Sequence, residues 1–294
     1  MNSTRTVAPG SQLAQGVATR QSPLASLRRL NIRGSLLLGL ILLALILASA
    51  IFAPVIAPYP PNEQHLDQAF LAPGSPGYLL GTDNYGRDIL SRIIYSTRLD
   101  LQIGFLSVLF PFIFGSLIGV TTGYLGGKTD IVVMRLVDIM MAFPFLVLVI
   151  AIMTLLGPGL RNLYIAVGVV GWISYARLVR GETLVTRNLE YIQAAKTIGC
   201  TTPRIVLRHL LPNVIAPSLV YVFTGMVLAI LTGATLSFLG LGPQPPTPEW
   251  GAMIAEGRQF LLQAWWMPTF PGLALLCVGV AFSLIGDGLA ERRR

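Results

Sequence analysis

The chain contains six long apolar stretches, each close to the length that a helix needs to cross a membrane. About 20 residues, rising about 1.5 Å each, cover the roughly 30 Å of hydrocarbon in a bilayer. Residues 34–53 include no charged side chain and are followed directly by Pro54. The predicted spans are residues 34–53, 101–124, 131–156, 163–178, 214–241 and 268–285. The sequence therefore predicts an all-α integral membrane protein with six transmembrane helices.

Composition excludes a soluble fold and several kinds of site. Of the 294 residues, 53% are hydrophobic and only 12% are charged, too few to cover the surface of a soluble domain. The net charge of +8 does not indicate nucleic-acid binding, because the basic residues flank apolar stretches instead of alternating with aromatic ones. Two cysteines, Cys200 and Cys277, are too few for a disulfide framework or a metal cluster. No catalytic or metal site is predicted.

Basic residues fall mainly on one side of the predicted spans. Sixteen of the 21 lie before the first span, between the second and third, around the segment between the fourth and fifth, or at the C-terminus. The positive-inside rule then places both termini in the cytoplasm. A cleaved signal peptide is the alternative for the first span, since Ala48-Ser49-Ala50 resembles a cleavage site. The 33-residue leader and the continuing apolar run argue against cleavage.

Three regions are predicted along the chain. Residues 1–33, rich in Ser, Thr, Gln and Gly, form a cytoplasmic tail that is predicted to be disordered. Residues 34–99 hold the first span and an extracytoplasmic segment. Residues 100–294 form a five-helix core with a cytoplasmic loop at residues 181–213.

The loop at residues 181–213 predicts two short helices joined by a turn. Helix formers run over residues 183–198, and Gly199 supplies the left-handed conformation that closes a helix. Thr202 can cap a second helix, and Pro203 fits its first turn. From the residues alone, a lipid surface and a docking protein suit this basic, amphipathic loop equally well.

The spacing within this loop resembles the signature of permease subunits of ABC importers. That signature is Glu-Ala-Ala, three residues, Gly, nine residues, an apolar residue, one more, and Leu-Pro. The loop residues that this resemblance singles out are Gln193, Ala194, Ala195, Lys196, Gly199, Pro203, His209, Leu211 and Pro212. Gln193 replaces the usual acid and His209 the usual aliphatic residue. By resemblance, the loop carries a coupling helix that sits in a cleft of a cytoplasmic ATPase. His209 is expected to be a structural hydrogen-bond donor in preference to a pH sensor.

The segment between the first two spans carries a second group of patterned residues. From the residues alone, Thr82 or Asp83 is expected to cap a helix. Arg87 and Asp88 are expected to form local ion pairs. A calcium loop is excluded, because alternating oxygen ligands and a closing Glu at the twelfth position are absent.

This segment resembles the N-terminal signature of the C-type permease subunit of dipeptide, oligopeptide and nickel importers. The matching residues are Gly81, Thr82, Asp83, Gly86, Arg87, Asp88, Ser91, Arg92 and Arg98. Ser96 stands where Gly is usual, and Asp100 stands where Ser is usual. With the six spans, the resemblance covers nearly the whole chain except the leader.

The resemblance implies a type I ABC importer permease fold in the bacterial cytoplasmic (inner) membrane. It implies alternating-access import of short peptides, with nickel or another small solute as the alternative. The implied partners are a B-type permease subunit, two cytoplasmic ATPase subunits or domains, an extracytoplasmic peptide-binding protein and membrane lipid. No Gly-x-x-x-x-Gly-Lys-Ser/Thr loop occurs in the sequence, so ATP and magnesium are expected on the partner ATPases and no cofactor on this chain.

Asp138 is the acidic residue that lies well inside a predicted span, so it is expected to face protein, water or a partner. Arg135, three residues earlier, is the expected ion-pair partner. Met141 and Phe143 are first expected to be packing residues and, with Asp138, are candidates for the translocation path. The alternative from another class is a proton-coupled secondary transporter or channel that uses Asp138 as its coupling site.

Overall fold

A computed structural model describes residues 23–291, and this part of the chain is built from helices without β-strands. The α-helices are α1 Pro23–Ile51, α2 Ala53–Ile56, α3 Ile89–Leu125, α4 Gly127–Met141, α5 Phe145–Leu156, α6 Leu160–Thr186, α7 Glu190–Thr197, α8 Thr202–Arg204, α9 Leu211–Val214, α10 Ala216–Phe238, α11 Trp250–Gly257 and α12 Trp266–Glu291. Two 3₁₀ turns, Leu66–Gln68 and Arg258–Phe260, and a π-helical turn, Ile205–Leu210, lie between them.

Five helices, α1, α3, α6, α10 and α12, are long and apolar enough to cross a membrane. The pair α4 and α5 supplies a sixth span if it is counted as one, but the two helices are bent by 88°. The prediction of one continuous helix over residues 131–156 is therefore wrong. Pro144 accounts for the break, because proline lacks an N–H and disfavours helical backbone at the preceding Phe143.

Helices α1, α3 and α6 extend well beyond their predicted ends, and α3 begins at Ile89 where the sequence predicted residue 101. α1 begins at Pro23, so residues 23–33, which the sequence assigns to a disordered tail, are helical. α6 covers Leu160–Thr186 where the sequence predicted only residues 163–178. Residues 1–22 of the predicted tail and the C-terminal basic residues 292–294 lie outside the described residues.

The centre of the fold is the close packing of α3 against α6. Gly115, Gly119 and Gly123 recur every four residues along one face of α3. A Cβ atom at Gly115 would lie 2.4 Å from the carbonyl oxygen of Trp172, and one at Gly119 would lie 2.4 Å from that of Ala176. Small residues at this spacing let two membrane helices approach backbone to backbone. These three glycines therefore set the distance between α3 and α6.

The helices define two opposite ends of the molecule. At the 54–88 end, residues 54–88 pack on the starts of α3 and α12, where the Trp266 indole donates to the carbonyl of Thr82 at 3.1 Å. At the 187–215 end, residues 187–215 pack below α3 and α6, where Arg187 Nη1 donates to the carbonyl of Gly123 at 2.7 Å. The two sequence signatures thus lie at opposite ends of the helix bundle.

Candidate functional site

Helix α7 ends in a Schellman turn built on Gly199. Gly199 has φ +81°, in the left-handed region that glycine adopts without steric cost. Its N–H donates to the carbonyl of Lys196 at 3.0 Å, and the N–H of Cys200 donates to the carbonyl of Ala195 at 3.0 Å. These two bonds are the pair that defines the Schellman motif. The predicted turn at Gly199 is confirmed, and it fixes the direction in which the chain leaves α7.

The inner face of residues 187–215 is packed firmly on the two central helices. Ile192 and Ala195 of α7 and Leu210 of the π-helical turn are buried in one apolar cluster with Val120 of α3 and Val179 of α6. Apolar contacts of this kind hold the loop as a unit, because separating them exposes apolar surface to water. Residues 187–215 therefore share one apolar interface with α3 and α6.

The outer face of α7 is exposed and partly apolar. Tyr191, Ala194 and Ile198 follow one another at intervals of three and four residues, which places them on one side of the helix. The side chain of Ile198 is 78% exposed, and that of Leu207 on the neighbouring π-helical turn is 55% exposed. Ala194 leaves this face without side-chain bulk at its middle. The face can accept a complementary protein surface at short distance.

The loop differs from its prediction in three details. The predicted helix over residues 183–198 is broken at residues 187–189, because α6 ends at Thr186 and α7 begins at Glu190. Thr202 is the first residue of α8, and its side chain forms no cap. The predicted second helix is divided into α8, the π-helical turn and α9, with Pro203 near the start of α8 and Pro212 in α9.

The polar residues of the loop signature make few contacts. Gln193 Nε2 donates to the carbonyl of Arg187 at 3.1 Å, and Lys196 Nζ lies 5.2 Å from the ring centre of Tyr124. The imidazole of His209 is half-buried and forms no hydrogen bond within residues 23–291, whereas the backbone carbonyl of His209 accepts from Asn213 Nδ2 at 2.6 Å. The imidazole thus has no acceptor among the described residues, and the donor role expected of His209 stays a prediction. Leu211 is half-buried beside the apolar cluster.

An ion pair braces α4 against α6 near this end. Arg180 Nε and Nη2 donate to the two carboxylate oxygens of Asp130 at 2.5 and 2.6 Å, a two-pronged arrangement. Asp138 forms no salt bridge with Arg135 or with any other described residue, so the predicted local pair is absent. Asp138 is instead exposed on α4.

Met141 and Phe143 lie on exposed surface at the bend between α4 and α5. Arg177 Nη1 approaches Met141 Sδ at 2.9 Å. The structure thus brings Asp138, Met141 and Phe143 to exposed positions at the end of α4 and the bend that follows it.

At the 54–88 end, the signature glycines form turns against backbone. Gly86 has φ +71°, and a Cβ atom there would lie 1.8 Å from the carbonyl oxygen of His65. Gly81 has φ +79°, and a Cβ atom there would lie 2.4 Å from the carbonyl oxygen of Leu71. Between these turns, Thr82 Oγ1 donates to the carbonyl of Gln68 at 2.6 Å. These turns and the hydrogen bond of Thr82 therefore hold residues 54–88 in a defined conformation.

Two further signature residues cap helices. Asp88, not Thr82 or Asp83, is the N-cap of α3, and its carboxylate accepts from Ser91 N at 2.8 Å and Ser91 Oγ at 2.6 Å. Arg98 donates through Nε to the carbonyl of Ala50 and through Nη2 to that of Ile51 at 2.9 Å. A cation at the last carbonyls of α1 is favourable, because those groups have no helical partners.

Three further signature residues, Asp83, Arg87 and Arg92, are buried and form with Glu256 of α11, whose side chain is 27% exposed, a group called here the buried charge cluster. Arg87 Nε contacts Asp83 at 2.5 Å, and Arg87 Nη2 contacts Glu256 at 2.7 Å. Arg92 adds longer contacts of 3.5 Å to Glu256 and 3.9 Å to Asp83. Arg87 therefore forms the expected local ion pair, with Asp83 four residues earlier, and a second one with Glu256 of α11, whereas Asp88 forms no salt bridge among the described residues. The cluster is formally neutral and joins residues 54–88 to α11.

A cavity of about 270 Å³ lies inside the subunit, bounded by α3, α5, α6 and α10. Its polar lining includes the hydroxyls of Ser107 and Tyr175, and neither has a hydrogen-bond partner. Sequence reasoning missed these two residues and Glu256. Glu256 lies 169 residues from Arg87, and no spacing pattern links residues so far apart. For Ser107 and Tyr175 no local signal distinguishes a cavity residue from an ordinary buried one.

Comparison with known proteins identifies the class. Residues 115–293 match the family described as "Binding-protein-dependent transport system inner membrane component". Residues 27–73 match the family described as "N-terminal TM domain of oligopeptide transport permease C". The chain therefore belongs to the family of binding-protein-dependent transport permeases, the transmembrane subunits of ABC importers.

Within that family the chain is similar to DppC proteins. It is 44% identical over 264 residues to the "Dipeptide transport system permease protein DppC" of Haemophilus influenzae, covering 88% of this chain and 89% of the relative. It is 44% identical over 246 residues to the "Di/tripeptide transport system permease protein DppC" of Pseudomonas aeruginosa, covering 82% of this chain and 81% of the relative.

A solved structure shows the same fold. A chain from "Inward facing conformations of the MetNI methionine ABC transporter" superposes with a TM-score of 0.57 over 70% of this chain and 98% of that chain, at 19% sequence identity. At this identity the likeness concerns the fold alone. The all-helical ABC permease fold predicted from the sequence is confirmed at that level.

Proposed function

We propose that this chain is one of two transmembrane subunits of an ATP-driven importer of short peptides. The DppC relatives, whose names specify dipeptide and di/tripeptide transport, support the substrate class. The observation that carries the mechanism is the loop at residues 187–215. It presents an exposed apolar face on α7, while its inner face is packed on α3 and α6.

The loop acts as the coupling element between ATP hydrolysis and the membrane helices. ATPase subunits bind the outer face of α7, formed by Tyr191, Ala194 and Ile198. Their closure moves α7, and the apolar cluster carries that displacement to α3 and α6. A switch of this kind needs only that ATP binds one of two arrangements more tightly than the other.

ATP and magnesium belong to the partner subunits in this proposal. The sequence contains no phosphate-binding Gly-x-x-x-x-Gly-Lys-Ser/Thr loop that would hold a nucleotide on this chain. The chain contributes the path and the mechanical link, and the partner ATPases carry out the hydrolysis.

The orientation follows from the distribution of charge. The 187–215 end and both termini lie in the cytoplasm, because 16 of the 21 basic residues belong to that side. The 54–88 end then faces outward, where a peptide-binding protein delivers substrate. A B-type permease covers part of the exposed apolar surface and completes the pore, and lipid of the bacterial inner membrane covers the rest.

Site-directed photo-crosslinking tests both the coupling role and the orientation. Ile198→Cys and Leu79→Cys place a thiol at opposite ends, at positions that are 78% and 68% exposed in the native chain. Both are made with Cys200→Ser and Cys277→Ser and labelled with a thiol-reactive photo-crosslinker in the assembled complex. We expect the ATPase subunit in the Ile198→Cys adduct and not in the Leu79→Cys adduct. ATPase captured from Leu79→Cys, or from neither position of an intact complex, contradicts the proposal.

A further inference from the structure

The cavity between α3, α5, α6 and α10 contains two buried hydroxyls without partners. Ser107 on α3 is 1% exposed and Tyr175 on α6 is 3% exposed, and both line the cavity. Neither Ser107 Oγ nor Tyr175 Oη has a hydrogen-bond partner in the structure. A buried polar group left unpaired is unfavourable, and where such a group lines a cavity a ligand or water can supply the missing bond.

The surroundings of Tyr175 hold its hydroxyl in place. Its ring makes edge contacts with Phe112 and Tyr221, at centroid distances of 5.8 and 5.2 Å. Gly225 on α10 lies against the hydroxyl, since a Cβ atom at this position would be 2.5 Å from Tyr175 Oη. Two neighbouring aromatic rings and a glycine thus fix the polar group while leaving space beside it.

The rest of the lining limits what can enter. It is largely apolar, with Val108, Val167 and Ala229 among its members, and none of its residues is charged. A charged side chain would be costly there, because nothing in the lining would compensate the loss of hydration. A cavity of roughly 150 Å³ with apolar walls accommodates benzene. The volume of about 270 Å³ here is therefore large enough for an aromatic or long aliphatic side chain.

The cavity opens to the surface of the subunit beside α5, α6 and α10, and its lining residue Phe145 on α5 is 41% exposed. Ser174 and Leu228 belong to its lining and are exposed. A group that moves along this surface can enter the cavity without separating the helices.

We propose that this cavity is a side-chain subsite for the peptide in transit, selective for uncharged aromatic or long aliphatic side chains. The hydroxyls of Ser107 and Tyr175 bond to the peptide group that carries the side chain. The inference rests on the proposed function and extends it, because it assigns part of the side-chain selectivity to the permease.

Uptake by the reconstituted complex with its binding protein tests the subsite. Rates are measured for Ala–Phe, Ala–Lys and Ala–Ala at saturating peptide, so that the affinity of the binding protein does not enter. Ala229→Leu fills part of the cavity. We expect Ala229→Leu to lower the ratio of Ala–Phe to Ala–Ala uptake about tenfold, because burying one such apolar side chain changes an equilibrium constant by about that factor. The ratio of Ala–Lys to Ala–Ala is expected to stay unchanged.

A second pair of variants tests the hydroxyls without changing volume. Tyr175→Phe is compared with Tyr164→Phe, because Tyr164 on the same helix also has a buried, unpartnered hydroxyl but does not line the cavity. Ser107→Ala is compared in the same way with Ser116→Ala on α3. We expect uptake to fall about fivefold in each cavity variant and to stay near wild type in each control.

The outcomes separate the subsite from the proposed function. If the wild-type complex takes up none of the three dipeptides, the peptide-import proposal fails. If the wild type transports them, but Ala229→Leu keeps the wild-type ratio and each cavity variant equals its control, the subsite is overturned while peptide import stands.

Discussion

Replacing Gly199 by proline is expected to reduce ATP-driven uptake at least about tenfold while the complex still assembles. Gly199 has φ +81°, and proline is fixed near −65°. Proline also removes the N–H that donates to the carbonyl of Lys196 at 3.0 Å. The Schellman turn cannot form, at a cost of about 3 kcal/mol. The connection from α7 to α8 must then change direction, and α7 loses its fixed position on α3 and α6. The measurement is uptake per ATP hydrolysed in proteoliposomes.

Gly199→Asn is the matched control for this variant. Asparagine adopts the left-handed region more readily than other non-glycine residues, and it keeps the N–H. A Cβ atom at position 199 would meet no atom within 4 Å, so the new side chain is not blocked. We expect Gly199→Asn to retain most of the coupled uptake. If Gly199→Pro assembles and transports at the wild-type rate per ATP, α7 is not the coupling element.

Replacing Arg87 by methionine is expected to destabilise the protein by about 3 kcal/mol or more, the loss typical of breaking a buried ion pair. Arg87 contacts Asp83 at 2.5 Å and Glu256 at 2.7 Å, and its side chain is 4% exposed. Without it, Arg92 alone faces both carboxylates, at the longer distances of 3.9 and 3.5 Å. The contacts that join residues 54–88 to α11 through the buried charge cluster are expected to weaken. Thermal unfolding of the detergent-solubilised complex measures the change.

Arg258→Met provides the comparison, because Arg258 follows α11 directly and is exposed. Its guanidinium lies 5.0 Å from the ring centre of Phe238, so its removal is expected to cost no more than about 1 kcal/mol. Arg87→Lys should recover only part of the stability, since lysine cannot contact two carboxylates with a planar fork. Equal unfolding temperatures for Arg87→Met and Arg258→Met would show that the buried charge cluster is not a structural element.

The positions of the main helices could be predicted from hydropathy, because a membrane span requires a long apolar helix. The ends could not. α6 continues to Thr186 although its last part is polar, and Arg180 is accommodated there by Asp130 on α4. That pairing depends on how two distant helices meet. The bend at residues 142–144 did have a local signal in Pro144, since proline commonly ends or kinks a helix.

The turn at Gly199 could be predicted, because a glycine that closes a helix is a local feature of the sequence. Gly199 forms the predicted turn, and Ala195 lies on the packed side of α7. The contacts at the 54–88 end were harder to predict. The residues of the signature were recognised, but their contacts depend on Glu256, which the fold supplies from α11. Local pairing rules account for the ion pair of Arg87 with Asp83, four residues apart, but Asp88, also expected in a local ion pair, is the cap of α3 instead.

Uptake of Ala–Ala by the wild-type complex in proteoliposomes tests the central claim most directly. One set of vesicles holds ATP and magnesium on the side of the 187–215 end and has no proton gradient. The other has a proton gradient and no ATP. The account predicts uptake only in the first set, dependent on the binding protein. Uptake that follows the proton gradient without ATP would contradict it and would direct attention to Asp138, which is exposed on α4.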